Sequence, residues 1–341
     1  MTPFDYVKPK SLTEALAAWT PGAAWLGGGT NLVDLMKTGA TTPDRLIDIT
    51  GLADLDAVSR GPNGDLLIGA LVTNADLASH PEVLRHAPMV AEATLSGASG
   101  QIRNVATLAG NIMQSPRDAL FDHVTPAADP LSAEPGSLAI LGTGGAPAVA
   151  VHPSDLCVTL AALDAVVEIA GPNGTRDVAL TAFHNLPGAT ARTALAPSDL
   201  ITGIRLPASA MAFAAHARYL KVRSRTSYAF ALCSAAAALR FEGDRIVEAR
   251  LCLGAVAPKP WRAAEAEACI SGQVPDAALF AKAADVALAG AEATPHTSWK
   301  TDLARRTAQR ALEMAAHGTP AEIPALPASP FSPQSGEPAH V

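Results

Sequence analysis

Apolar positions recur with helical spacing over residues 12–19, and Ser11 and Glu14 form a capping box at the head of that run. A short apolar strand at 23–26 then enters the turn Leu26-Gly27-Gly28-Gly29-Thr30-Asn31-Leu32. The spacing of Leu32, Val33, Leu35 and Met36 predicts a helix after the turn, capped by Thr30 or Asn31. The opening reads β-α-β-turn-α, with 46–49 as the next strand, a small α/β lobe.

Further on, a Gly61-Pro62-Asn63-Gly64 turn precedes a strand at 65–70, and helices are predicted at 74–79 and 89–95. Residues 96–111 form a second unusual loop, rich in small residues and amides and containing Arg103. From 114 to 151 five prolines interrupt the pattern and Gly142, Gly144 and Gly145 soften it, leaving a long irregular excursion. Order returns with a helix from 153 to about 163, strands at 166–169, 176–180 and 201–206, and a second Gly-Pro-Asn-Gly turn at 171–174. The last third reads as α+β, with strands at 235–241 and 246–253 and Ala-rich helices at 277–291 and 301–316. Prolines and small polar residues from 320 onward predict a disordered tail.

At 341 residues, 49% of them hydrophobic and 17% charged, the chain can build two or three cored domains. Its net charge of −7 gives no electrostatic footprint for nucleic acid. Cys157, Cys233, Cys252 and Cys269 form no C-x-x-C pair and read as buried thiols in a reducing compartment. No basic region followed by an apolar run opens the chain, and the longest apolar block, 228–239, is too short to span a bilayer. The expectation is a soluble, cytoplasmic protein.

Catalytic constellations are missing from the pattern. His152, His184 and His216 are isolated along the sequence and read as satisfied or surface histidines, and no nucleophile motif accompanies them. Asp118, Asp122 and His123 offer a weak metal alternative. The glycine turn lacks the Gly-Lys-Ser/Thr of a P-loop and the third glycine of a Rossmann turn. What remains is binding chemistry: turn N-H groups for a phosphate, Thr107, Gly110 and Asn111 in the second loop, and Asp155 as acceptor for a sugar hydroxyl. Together these loops suit a dinucleotide. Taken singly, Asp155 also reads as a helix cap and Asn111 as a turn residue.

Taken in order, the motifs resemble the flavin-binding subunit of the molybdenum hydroxylases, the xanthine dehydrogenase and aldehyde oxidoreductase family. They are Gly27-Gly28-Gly29-Thr30-Asn31, Gln101-Ile102-Arg103-Asn104-Val105-Ala106-Thr107-Leu108-Ala109-Gly110-Asn111, His152-Pro153-Ser154-Asp155, Tyr219-Leu220-Lys221-Val222-Arg223, Ser227-Tyr228-Ala229-Phe230-Ala231-Leu232 and Pro260-Trp261-Arg262. The last two are similar to the separate flavin subunit of bacterial aldehyde oxidoreductases.

The resemblance implies an α+β protein: a two-lobed FAD-binding domain of the vanillyl-alcohol oxidase (PCMH) type, then a CO dehydrogenase flavoprotein-like C-terminal domain. The domains would cover 1–208, with lobes at 1–55 and 56–208, and 209–318, followed by the tail at 319–341. By the family pattern Leu26, Gly27, Gly28, Gly29, Thr30, Asn31 and Leu32 would hold the pyrophosphate. Ala98, Thr107, Gly110 and Asn111 would line the other side of the cofactor, Asp155 would take its sugar-like part, and Lys221 would lie toward the flavin ring. Gln101, Ile102 and Leu206 complete the implied cofactor set.

In such enzymes a molybdopterin subunit oxidises the organic substrate, a 2Fe-2S subunit relays electrons, and the flavin passes them to an external acceptor. Within the resemblance, a flavin-free structural subunit and a stand-alone flavin oxidoreductase are the alternatives. Export to the periplasm by a partner bearing a twin-arginine signal is the alternative to a cytoplasmic location. One departure stands out: the aldehyde oxidoreductase branch holds a 4Fe-4S cluster in an insertion whose counterpart here, 112–151, contains no cysteine. No iron-sulfur centre is expected in this chain, and the excursion is expected to be mobile.

Overall fold

The computed structural model describes residues 1–116, 135–146 and 148–323. Lobe one contains β1 (Asp5–Val7), α1 (Leu12–Ala18), β2 (Ala23–Leu26), α2 (Leu32–Thr38) and β3 (Arg45–Asp48). Its strands form a parallel sheet in the order β1-β3-β2. Ser11 Oγ caps α1 by accepting from the Glu14 N-H at 3.2 Å, while the Glu14 carboxylate reaches back to the Lys10 N-H at 2.9 Å. Ala15, Ile47, Ile49 and Leu52 form the core, closed by Leu71 and Leu200 from the next lobe. The expected side-chain cap of α2 is absent: Asn31 occupies the N-cap position and makes no capping bond.

Lobe two runs through β4 (Val58–Arg60), β5 (Leu66–Gly69), α3 (Asn74–Ser79), α4 (Pro81–His86), α5 (Pro88–Ser96), α6 (Gly100–Arg103), α7 (Leu108–Ile112), α8 (Asp155–Ala162), β6 (Val166–Gly171), β7 (Gly174–Ala179), α9 (Leu180–Phe183) and β8 (Leu200–Leu206). Its sheet, β4-β5-β8-β6-β7, is antiparallel throughout. Hairpins account for this. The two Gly-Pro-Asn-Gly turns join β4 to β5 and β6 to β7, and a tight turn returns a strand antiparallel to its neighbour.

Two elements of this lobe escape the periodicity because they are only one turn long. The loop at 96–111 folds into α6 and α7, each headed by a hydroxyl cap from Ser99 or Thr107. Helix α4, also unanticipated, starts at Pro81 with His80 as its cap.

After a 3-10 run over Ala208–His216, the C-terminal part consists of β9 (Ala217–Val222), β10 (Cys233–Glu242), β11 (Arg245–Gly254), β12 (Trp261–Arg262), α10 (Ala264–Ile270), α11 (Ala277–Ala287) and α12 (Ser298–His317). The sheet order is β12-β11-β10-β9. Strand β10 is covered on both faces. Cys233, Ala235, Ala237 and Leu239 pack into the core shared with α10, α11 and α12, whereas Ala236 and Ala238 face the core shared with α5 and α8. Period-two alternation with alanine on both sides lets two helical layers approach one strand closely.

Order continues past α12. The Thr319 N-H donates to Ala215 O at 2.8 Å and its hydroxyl accepts from the Ala217 N-H at 2.9 Å, so the chain is still held where the tail was expected to begin. The remaining predicted tail, 324–341, and the middle of the excursion, 117–134, lie outside the described residues. Among the described residues no helix is long and apolar enough to cross a membrane.

Lys300 is fully buried, and its ammonium donates to Gly136 O at 2.7 Å and Leu138 O at 2.8 Å, tying the end of the excursion to α12. Lys300→Met removes both donors and is expected to cost about 2–4 kcal/mol. Urea denaturation checks this, as a lowered midpoint with an unchanged slope.

Candidate functional site

The glycine turn and the second loop are built against each other. A Cβ on Gly28 would run into the Val105 carbonyl, and one on Gly27 would stand 3.0 Å from Thr107 Oγ1. Gly28 is therefore required by the neighbouring main chain, and Gly27 is crowded by the Thr107 side chain. Gly29, at φ +73°, turns the chain into α2. Thr107 is engaged behind this contact, where it caps α7 by accepting from the Gly110 N-H at 3.2 Å.

Beside the contact opens a cavity of about 470 Å³. Of the sequence-predicted residues, Thr30, Asn31, Ala98, Ile102, Gly110, Asn111, Asp155 and Lys221 line it. Leu26, Gly27, Gly28, Gly29, Leu32, Gln101, Thr107 and Leu206 do not. Gln101 is exposed on α6, and Leu206 is fully buried in β8, paired with Leu66 in the core.

One wall is fixed by cations directed at main-chain carbonyls. Lys221 Nζ and Arg223 Nη1 both donate to Ser96 O at 3.1 Å, and Arg103 Nη1 donates to Gly97 O at 2.7 Å and Leu95 O at 3.3 Å. Ala98 is thereby held at φ +52°, a conformation that costs energy in a residue with a Cβ. Arg103 serves the backbone in this arrangement, and burial lowers its pKa from the usual arginine value.

Asp155 is not the cap of α8. That role belongs to Ser154, whose Oγ accepts from the Cys157 N-H at 3.1 Å. Asp155 accepts instead from Tyr219 Oη at 2.6 Å and Lys221 Nζ at 2.8 Å, in an ion pair that is almost wholly buried. Burial first, then the Asp155 charge, holds the Tyr219 phenol well above its ordinary pKa, so it stays a donor. A carboxylate has about four lone-pair sites, so Asp155 retains capacity toward the cavity.

Asn111 is similarly oriented. Its Oδ1 accepts from Ser154 Oγ at 2.6 Å and Gln114 Nε2 at 3.1 Å, which leaves its amide NH₂ as the group offered to the cavity.

The sequence reading missed several cavity residues, Asn74 foremost. It is 4% exposed, its N-H donates to Ala106 O at 2.8 Å, and its Oδ1 is buried without a hydrogen-bond partner. Its only signal in the sequence was its place directly after the Thr73 cap of α3. Asp34, Arg225, Tyr228 and Phe230 also line the cavity. Tyr228 sits at φ +49° with the Arg225 guanidinium 5.7 Å from its ring centre.

The histidines need a correction. His152 and His184, distant in sequence, pack edge to face with ring centres 4.4 Å apart, both buried. Burial brings His184 down to about 4 and His152 well below its usual value, so both rings are neutral at neutral pH. His216 is satisfied, as expected, 3.0 Å from Ala315 O. Asp118, Asp122 and His123 lie outside the described residues.

Comparison with known proteins agrees with this architecture. The profile of the FAD binding domain in molybdopterin dehydrogenase matches residues 2–209, and that of the CO dehydrogenase flavoprotein C-terminal domain matches 218–315. The aldehyde oxidoreductase FAD-binding subunit PaoB of Escherichia coli K12 is 40% identical, covering 90% of this chain and 96% of its own. The carbon monoxide dehydrogenase medium chain of Afipia carboxidovorans is 29% identical, covering 92% and 96%. Among solved structures, reconstituted CO dehydrogenase from Oligotropha carboxidovorans superposes with a TM-score of 0.76 at 28% identity, covering 93% of this chain and 99% of that one. With both domains matched in order and the loops of the first enclosing a polar cavity, the chain belongs to the FAD-binding subunits of the molybdenum hydroxylase family of oxidoreductases.

Proposed function

We propose that this chain is the FAD-carrying electron-transfer subunit of a molybdenum-containing aldehyde oxidoreductase, and that it takes electrons from a 2Fe-2S partner and delivers them to an external acceptor. The observation that carries the reading is the cavity itself: the partnerless Asn74 Oδ1, the oriented Asn111 amide and the buried Asp155–Lys221 pair all line one space. Such a donor and acceptor set fits a polyhydroxylated dinucleotide. The likeness to the aldehyde oxidoreductase subunit favours aldehyde chemistry in the complex.

Bound FAD supplies the redox chemistry, exchanging electrons with one-electron and two-electron partners. The segment from Leu26 to Leu32 would take the pyrophosphate, with Thr30 and Asn31 at the cavity surface. Ala98, Ile102, Gly110 and Asn111 would form the opposite wall, Asn74 would accept from a hydroxyl or amino group, and Asp155 with Lys221 would fix the sugar chain and the near edge of the ring. Among the described residues, the titratable ones that line the cavity are Asp34, Asp155, Lys221, Arg225 and Tyr228, and none of these forms a nucleophile-base pair. This supports placing oxidation of the organic substrate on a molybdopterin partner.

The purified chain is expected to show a two-banded flavin spectrum and to release one FAD on acid treatment. Replacing both Thr30 and Asn31 by tryptophan should abolish flavin retention while circular dichroism stays unchanged; full retention would overturn the assignment of this turn. Asn74→Ala removes one hydrogen-bond acceptor, and FAD affinity measured by fluorescence titration is expected to fall about tenfold.

A further inference from the structure

The two ends of the irregular excursion meet at a buried cluster outside the cofactor cavity. His152, His184 and Cys157 each present one ligand-capable atom there, all three within 4.8 Å of one another, and all three residues are buried. His184 Nε2 lies 2.9 Å from Ile112 O, so Nε2 carries the proton and Nδ1 has the free lone pair. That Nδ1 is buried without a hydrogen-bond partner; His152 Nε2 is buried as well, with the Gln114 backbone acting on its ring. Polar atoms buried in this way are costly unless something binds them.

We propose that this cluster is a three-coordinate site for cuprous copper, ligated by Cys157 Sγ, His152 Nε2 and His184 Nδ1. A thiolate with two imidazoles suits soft or borderline ions such as copper and zinc. Charge selects between them. One thiolate and a monovalent ion make a neutral site, whereas a divalent ion leaves a net positive charge in a buried pocket, where Lys259 acts on His184 and Asp155 on Cys157.

Binding releases the Cys157 proton to solvent. It also moves the His152 ring proton from Nε2 to Nδ1, giving up a 3.3 Å bond from the Ser154 N-H. At metal-ligand bonds of ~2.0–2.3 Å the three atoms would stand roughly 3.5–3.8 Å apart, so the cluster closes by about 1 Å. The outer shell is in place: the Ile112 carbonyl orients His184, and Ser154 Oγ holds the Cys157 N-H. An ion here would clamp the residue that ends α7 to the segment that begins α8.

The test uses the full chain carrying its FAD, titrated without oxygen with cuprous ion against a copper chelator. One ion per chain is expected, with one sulfur and two nitrogen neighbours by X-ray absorption, a measurement that needs no variant. Cys157→Ala should weaken binding about 100-fold or more, with the flavin spectrum and circular dichroism serving as controls for folding. Three results would overturn the proposal: uptake no greater than that of Cys157→Ala, preferential retention of zinc in the same competition, or more than one sulfur neighbour.

Discussion

The arrangement depends on a contact between two stretches of bare main chain. Gly28 lies against the Val105 carbonyl so closely that no side chain fits between them. That approach sets the first lobe's turn beside the second lobe's loop, and it fixes the distance across which Thr30 and Asn31 face Gly110 and Asn111. Main-chain packing of this kind leaves no soft side-chain layer to absorb a displacement, so the width of the cavity is determined where the lobes touch.

The second constraint is electrostatic. Carbonyls of Leu95, Ser96 and Gly97 gather the charged ends of Arg103, Lys221 and Arg223, and Ala98 adopts a conformation that an alanine would not choose unaided. Cationic side chains in a flavoprotein sequence invite assignment to phosphates. Here Arg103 and Arg223 are spent on backbone oxygens, and Lys221 is shared between Ser96 O and Asp155.

Much of the fold was legible because its elements are long enough to show a period or are punctuated by glycine and proline. The hairpins around the two Gly-Pro-Asn-Gly turns and helices α3, α5, α8 and α12 are of this kind. The four-residue α6 and five-residue α7 give no period to read, and β9 was hidden because Arg218 and Lys221 interrupt its apolar pattern to serve Glu92 and Asp155. The candidate site was legible as motifs in order, and half of its predicted residues line the cavity. Sequence could not show that Gly27 meets the Thr107 side chain and Gly28 the Val105 carbonyl, that Leu206 points into the core, or that Asn74 is left with an orphan oxygen, since each depends on contacts remote along the chain. The His152–His184 pair was missed for the same reason.

Strand β10 carries a consequence for how the molecule comes apart. Its alternate residues belong to different hydrophobic cores, and the neighbouring β9 with the segment that follows it brings Lys221, Arg225, Tyr228 and Phe230 to a cavity whose other walls come from the first domain. Neither half can lose its packing without stripping one face of the same strand. The boundary seen in the sequence is thus bridged by shared packing, from which coupled unfolding of the two domains is expected, and a fragment ending after β8 has neither its covering sheet nor a complete cavity.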